Sequence, residues 1–186
     1  MRAFIDPPKR IPLFLRIGIW VSERITGREM LPARILAWYP KAAIGSGVLE
    51  SLVAHHDQQI NERMLKIVRI QASFSASCSF CIDMNSYQFE ETQITLEELH
   101  VLQGITPLEE ISTFSEREKL AIRYTQLISK TPLQFPHDFI EELKRHFNER
   151  ELVILASTAA QVNYWARLIQ ALGIPPAGFS DQCKLS

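Results

Sequence analysis

The sequence carries no excess of either charge. Its 20 Lys and Arg against 21 Asp and Glu leave a formal net charge of -1, so nothing in the balance calls for nucleic acid or an acidic substrate. It also lacks an apolar run suited to a bilayer. The stretch from Ile11 to Val21 is broken by Pro12 and Arg16, falls short of the roughly 20 residues a spanning helix needs and follows Asp6-Pro7-Pro8; neither a signal peptide nor a membrane span is expected. Cysteine is scarce and odd in number, at three, which argues against a secreted disulfide framework and for a cytoplasmic protein with one functional pair. Cys183, near the C-terminus, reads as a frayed tail residue. The five histidines (His55, His56, His100, His137 and His146) form no pair at i, i+4 spacing. Zinc needs four ligands, usually in two close pairs, so no metal site is expected.

Strand signals are nearly absent and helix signals dominate. With 186 residues, 46% of them hydrophobic, the chain can bury one good core, and a single all-α domain (1–186) is expected. It divides into an N-terminal helical extension, 1–40, and a core, 41–178. Ile11 to Ile25 reads as an amphipathic helix ended by Gly27; Pro32 opens another, which Pro40 interrupts before Ala42 to His56 resumes. Asn61 to Phe74 follows, then a helix from about Cys78 to Glu91 whose start is marked by Ser75 and Ser77. Thr95 with Glu98 makes a capping box for a short helix stopping at Gly104, and Ser115 with Glu118 and Asn148 with Glu151 repeat that signature. Glu149 to Leu172, apolar nearly all round, reads as the central buried helix, ended by Gly173 and Pro175-Pro176. About eight helices result. Asn61-Glu62-Arg63, Ser115-Glu116-Arg117 and Asn148-Glu149-Arg150 echo one another, through capping chemistry used three times or through duplication of a helical unit.

The most informative stretch is Cys78-Ser79-Phe80-Cys81. Two thiols three residues apart on one helical turn can close a small disulfide ring. Near a helix start, the positive end of the peptide dipoles and unpaired backbone N–H groups favour the thiolate, which is the nucleophile in peroxide reduction and disulfide exchange. A thiolate that attacks a hydroperoxide becomes a sulfenic acid, and a second thiol one turn away condenses with it before overoxidation. The helical segments on both sides exclude the strand-helix-strand setting of thioredoxin.

The run Arg63-Met64-Leu65-Lys66 through Ala72-Ser73, then Ser77-Cys78-Ser79-Phe80-Cys81-Ile82-Asp83-Met84-Asn85, resembles the alkylhydroperoxidase D-like branch of the carboxymuconolactone decarboxylase superfamily. Asn163-Tyr164-Trp165 with Leu172-Gly173-Ile174-Pro175-Pro176 is similar to it as well, and the resemblance spans roughly residues 40 to 178. It implies an all-α helical bundle, a homo-oligomer (dimer, trimer or hexamer), and antioxidant peroxide reduction by the cysteine pair. No bound cofactor is implied; electrons come from an external lipoyl or thioredoxin-like dithiol donor. Cys81 is the implied peroxide-attacking thiol and Cys78 the more exposed resolving one.

The implied proton relay places a glutamate twelve positions before the first cysteine, a histidine just before the second and a histidine four positions after it; here those positions hold Lys66, Phe80 and Asn85. A cation at Lys66 lowers a thiol pKa without shuttling protons, and Asn85 can hold a water or bond a sulfur but is no base. Glu62, one turn before Lys66, is expected to pair with it or to replace the absent glutamate. His55 and His56 are candidates to fold over the thiols, a surface histidine at a helix end being the commoner outcome. Asp83 is expected to be exposed or a cap. Phe80, Tyr164 and Trp165, with Tyr87 and Phe89, are candidates for an apolar pocket taking an organic hydroperoxide, against plain core packing. The alternatives to a thiol peroxidase are a non-catalytic, redox-responsive oligomer and, with less to favour it, a lactone decarboxylase. Trp20, Trp38, Tyr39 and the apolar first third suggest a subunit interface or a self-packed hairpin.

Overall fold

Four of the helix starts in this chain are set by short polar side chains, Asn61, Thr95, Ser115 and Asn148, that accept the first free backbone N–H groups. In the computed structural model, which describes residues 2–53 and 59–180, the described residues form nine α-helices, two short 3-10 turns and no strand. They are α1 (Leu13–Thr26), α2 (Leu31–Leu36), α3 (Pro40–Val53), α4 (Glu62–Ser75), α5 (Ser79–Asn85), α6 (Leu96–Leu102), α7 (Glu116–Ile128), α8 (His137–His146) and α9 (Glu149–Ala171). Asn61 caps α4 by accepting the Met64 N–H at 2.9 Å. Thr95, Ser115 and Asn148 each close a full capping box, with Glu98, Glu118 and Glu151 as the reciprocal partners.

The echo in the sequence becomes a ladder in space. Arg63, in the first turn of α4, donates to Glu118 Oε1 at 2.7 Å and to Glu98 Oε1 at 2.6 Å, and also to the Gln93 carbonyl. Arg117, in the first turn of α7, donates to Glu151 Oε1 at 2.6 Å. The arginine of one helix start therefore holds the capping-box glutamate of the next. Each guanidinium also lies over the phenylalanine that precedes a cap, Arg63 at 5.9 Å from the Phe114 ring centre and Arg117 at 4.6 Å from that of Phe147. Cation–π contact adds to the ion pairs.

The core has three apolar clusters, and α4 enters all of them. Ile67 and Ile70 face Ile82, Leu99, Leu102, Phe114 and Ile122. Met64, Leu65 and Val68 face Leu120, Leu143, Phe147 and Leu155. Ala72 faces Cys78, Cys81, Val162 and Ala166. The apolar pattern of the sequence puts α9 at the centre; α9 does pack on α4, α7, α3 and α5, but Val153 and Tyr164 remain exposed along it, and α4 is the more enclosed helix.

Other boundaries also differ from the sequence pattern. Ser75 and Ser77 do not start the CxxC helix: Ser75 ends α4, Ser77 takes a left-handed φ of 49° in the reversal, and Cys78 is the cap of α5. That helix stops at Asn85, because Gln88 at φ 53° breaks the helical path and swings Phe89 into the core. The N-terminal segment is part of the same packing, with Ala3, Leu31 and Ile35 in the cluster around the cysteines. Phe4 donates its N–H to the Leu172 carbonyl at 2.9 Å, and its ring lies against Gly173, whose φ of 63° and lack of a Cβ admit it.

Removing Arg63 leaves Glu98 and Glu118 facing each other without their cation. Arg63→Ala is expected to cost about 3–5 kcal/mol, measured by urea denaturation; a loss below about 1 kcal/mol sinks the ladder as a stabilising device. Burial pushes the Glu98 carboxyl up, but hydrogen bonds from Arg63, the Thr95 N–H and Thr113, with the Arg63 charge, together hold it below its ordinary 4.5. A carboxyl lowered in the folded state contributes stability that is complete above its unfolded value and is lost as pH falls through the folded one. Stability is therefore expected to drop below about pH 4.5, and Glu98→Gln to flatten that drop.

Candidate active site

The cysteine pair is built by a tight reversal between α4 and α5. Ala76 donates to the Ala72 carbonyl, Ser77 to Phe74 and Cys78 to Ser73 at 3.2 Å, so the chain turns back on the end of α4. Cys78 then caps α5, its Sγ accepting the Cys81 N–H at 3.3 Å. The two cysteines are joined as a disulfide with Cα atoms 5.2 Å apart, within the usual span for such a bond. Neither is at the surface: Cys78 is 0% and Cys81 3% exposed. The resemblance implied Cys78 as the more exposed thiol; here it is fully enclosed, in a cluster with Ile35, Ala72, Val162, Ala166, Ile169 and Ile174.

The residues at the relay positions are engaged elsewhere. Lys66 Nζ donates to the Tyr87 carbonyl at 2.7 Å, reaching across to the turn after α5. Burial pulls its pKa below the ordinary 10.5, the Arg69 charge pulls the same way, and Glu91 and Glu90 oppose both. Asn85 donates to Ser73 Oγ at 2.9 Å, and Ser73 Oγ donates to the Arg69 carbonyl at 2.7 Å. Both positions thus tie α5 and the turn after it back to α4. Glu62 is exposed at the first turn of α4. His55, His56 and Cys183 lie outside the described residues.

The three aromatic candidates divide. Phe80 and Trp165 pack in the cysteine cluster, whereas Tyr164, half-exposed, shares a 2.7 Å hydrogen bond with Ser46 of α3. Trp165 and Tyr164 meet edge to face with ring centres 5.5 Å apart. Two open clefts lie elsewhere. One, of about 310 Å³, sits where the ends of α4, α6 and α7 converge on Gln71, Gln103 and Gln126, and the other, about 470 Å³, lies at the α8–α9 corner. No group of three or more His, Cys, Asp or Glu suited to a metal ion occurs among the described residues.

Two carboxylates beside the pair were missed by sequence reasoning. Glu50 of α3 accepts from Trp165 Nε1 at 2.9 Å and from Gln161 Nε2 at 2.6 Å with one oxygen, which fastens α3 to the α9 side of the cysteine cluster. Asp83, expected to be exposed or a cap, is buried at 3% exposure. Its Oδ2 accepts the N–H groups of Ala177 and Gly178 at 2.9 and 2.8 Å, and its Oδ1 that of Ser180 at 2.7 Å. The physical reason is that the segment after α9 returns over α5 and leaves three N–H groups that only a carboxylate can serve together. No local spacing announces a partner 94 or more residues away.

Glu50→Ala removes the shared acceptor of Trp165 and Gln161, and since hydrogen bonds to a charged group are worth about 1.5–3 kcal/mol the expected loss of stability is roughly 2–3 kcal/mol. Urea denaturation followed by tryptophan fluorescence reads both the loss and the changed Trp165 environment. Glu50→Gln, which keeps one oxygen, should recover part of it; unchanged stability and emission in Glu50→Ala would refute the bridge.

No protein-family profile matches the sequence. The uncharacterized protein YnjA of Escherichia coli is 24% identical over 177 residues, 94% of this chain and 94% of its own length. Among solved structures, the debrominase Bmp8, in a Cys-to-Ala variant bound to 2,3,4-tribromopyrrole, superposes with a TM-score of 0.77 at 17% identity, covering 93% of this chain and 91% of its own. An uncharacterized peroxidase-related protein from Ralstonia eutropha, described as an alkylhydroperoxidase AhpD core, superposes with a TM-score of 0.78 at 13% identity, covering 98% and 94%. With nine α-helices among the described residues and near-complete coverage on both sides, the chain has the fold of the alkylhydroperoxidase AhpD core.

Proposed function

We propose that the chain is a cytoplasmic thiol-disulfide redox enzyme that reduces organic hydroperoxides or hydrogen peroxide through Cys78 and Cys81, in antioxidant defence. The observation that carries this reading is the bonded pair at the α4–α5 reversal, with Cys78 capping the helix that Cys81 enters. The Cys81 thiolate attacks the outer peroxide oxygen; the O–O bond breaks, the sulfur becomes a sulfenic acid and the alcohol leaves with a proton. Cys78 then attacks that sulfur, water departs and the disulfide forms. An external dithiol of lipoyl or thioredoxin-like type returns two electrons and two protons. The apolar surroundings of Cys78, from Phe80, Val162 and Ile169, suit an organic hydroperoxide better than a charged substrate.

A second reading draws on the likeness to the debrominase. The same dithiol reduces a carbon–bromine bond to carbon–hydrogen, giving disulfide, bromide and a proton, with both electrons from the thiols. As to assembly, α1 turns Leu13, Phe14, Ile17, Trp20 and Ile25 to the surface, and in the proposed homo-oligomer a second copy covers them. Light scattering on the purified chain reads this, a monomer at micromolar concentration being the contrary result.

The test of function is hydroperoxide consumption by the fully reduced protein with a dithiol reductant, wild type beside Cys81→Ser and Cys78→Ser. Catalytic turnover abolished by both substitutions is expected. Consumption of one slow equivalent removes the peroxidase reading, and turnover of a brominated heteroaromatic in its place establishes the second.

A further inference from the structure

The segment that follows α9 turns back over the redox pair. Ile174 is buried in the cluster that holds Cys78 and Cys81, and Ala177 packs against it. Phe179 is buried too, with its ring centre 5.8 Å from that of Tyr87. Tyr87 is also the residue whose carbonyl receives Lys66. Between Ala177 and Ser180 the chain is held by Asp83, whose two oxygens take three backbone N–H groups at 2.7–2.9 Å.

Asp83 lies two residues from Cys81 on α5. Both of its oxygens are turned to this one segment, so the carboxylate fastens helix to strap. Ile174 and Ala177 of this strap share the cluster in which Cys78 is 0% and Cys81 3% exposed. Thiol–disulfide exchange requires in-line approach of an attacking sulfur to one of them, which enclosure forbids.

We propose that residues 174–180 form a strap over the Cys78–Cys81 pair, latched by the Asp83 carboxylate and by Phe179 on Tyr87, and that its release admits the dithiol reductant. Asp83 is a positioning residue, acting on the thiols only through the strap. The proposal rests on the reading of the pair as redox-active. Local opening of this kind withdraws Ile174 and Ala177 from the cysteine cluster and leaves the other two core clusters intact.

The experiment is alkylation of the fully reduced, full-length protein by iodoacetamide, with labelling at Cys78 and Cys81 followed by peptide mass spectrometry so that Cys183 is counted separately. Asp83→Asn puts an amide N–H against backbone N–H groups, and with charge-assisted bonds lost the pair is expected to react about tenfold faster or more. Phe179→Ala, which leaves the carboxylate intact, is expected to accelerate labelling several-fold and decides the matter if Asp83→Asn does not fold. Asn148→Ala, which removes the distant α9 cap, lowers global stability without touching the strap and is expected to label at the wild-type rate. Equal rates in wild type and both strap variants overturn the proposal. So does equal acceleration in Asn148→Ala, which would make opening global, and so does a wild-type pair that reacts as fast as in urea. Alkylation needs no turnover. A gated pair that consumes no hydroperoxide therefore fails the functional reading and keeps the strap, while an ungated pair with turnover does the reverse.

Discussion

A helix enclosed on nearly every side that still carries cations must give each of them a partner, and the arrangement of this molecule follows from meeting that demand in α4. Leu65, Ile67, Val68, Ile70 and Ala72 are all buried, yet Arg63, Lys66 and Arg69 stand among them. An unpaired buried charge costs far more than any single apolar contact returns. Arg63 therefore takes Glu98 and Glu118, and Lys66 takes the Tyr87 carbonyl. These partners do more than satisfy these two cations. The first pair fixes the starts of α6 and α7 against the start of α4, and the second fixes the turn beyond α5 against its middle. The redox turn lies at the other end of the same helix.

The two ends of α4 are accordingly different in kind. At its start, capping boxes and arginines form a polar ladder passed from α4 to α7 to α9 through Glu118 and Glu151. At its end the polar groups are few, and Ser73 supplies two of them. Its hydroxyl receives Asn85, and its carbonyl receives the Cys78 N–H. The small side chains of Ala72, Ala159 and Ala166, all fully buried, let the α4–α9 pair approach closely, and the disulfide occupies the space where α5 meets both. Close packing of this sort favours discrete opening over gradual loosening.

Much of this was legible in the sequence where the signal is local. The caps Asn61, Thr95, Ser115 and Asn148, the terminating Gly27 and the CxxC turn all act within four residues of themselves. Helix α8 gives no such signal, since its N-cap is Pro136 and no side chain closes its first turn. The early end of α5 was hidden for another reason: left-handed glutamines at 88 and 93 have no compositional mark, unlike glycine. The ladder was visible as an echo but not as a structure, because identical caps do not say which arginine will meet which glutamate. Asp83 and Glu50 were illegible altogether, each being defined by partners more than 90 residues distant.

The replaced relay positions serve the packing of α5 rather than proton transfer. Where the resemblance implies an acid and two imidazoles able to pass protons, Lys66 and Asn85 hold backbone and hydroxyl groups of neighbouring elements, and Phe80 fills the core. Residues so engaged stiffen the seat of the thiols at the expense of proton transfer, worth about 100- to 10,000-fold where a base is correctly placed. One N–H at the start of α5 already points at Cys78 Sγ, the resolving thiol of the proposed chemistry, and the cluster round the pair leaves neither cysteine at the surface. In the proposed chemistry a site built this way places its control on access rather than on acid-base assistance, so that the uncovering of the sulfurs, more than their basicity, would set how fast the pair cycles.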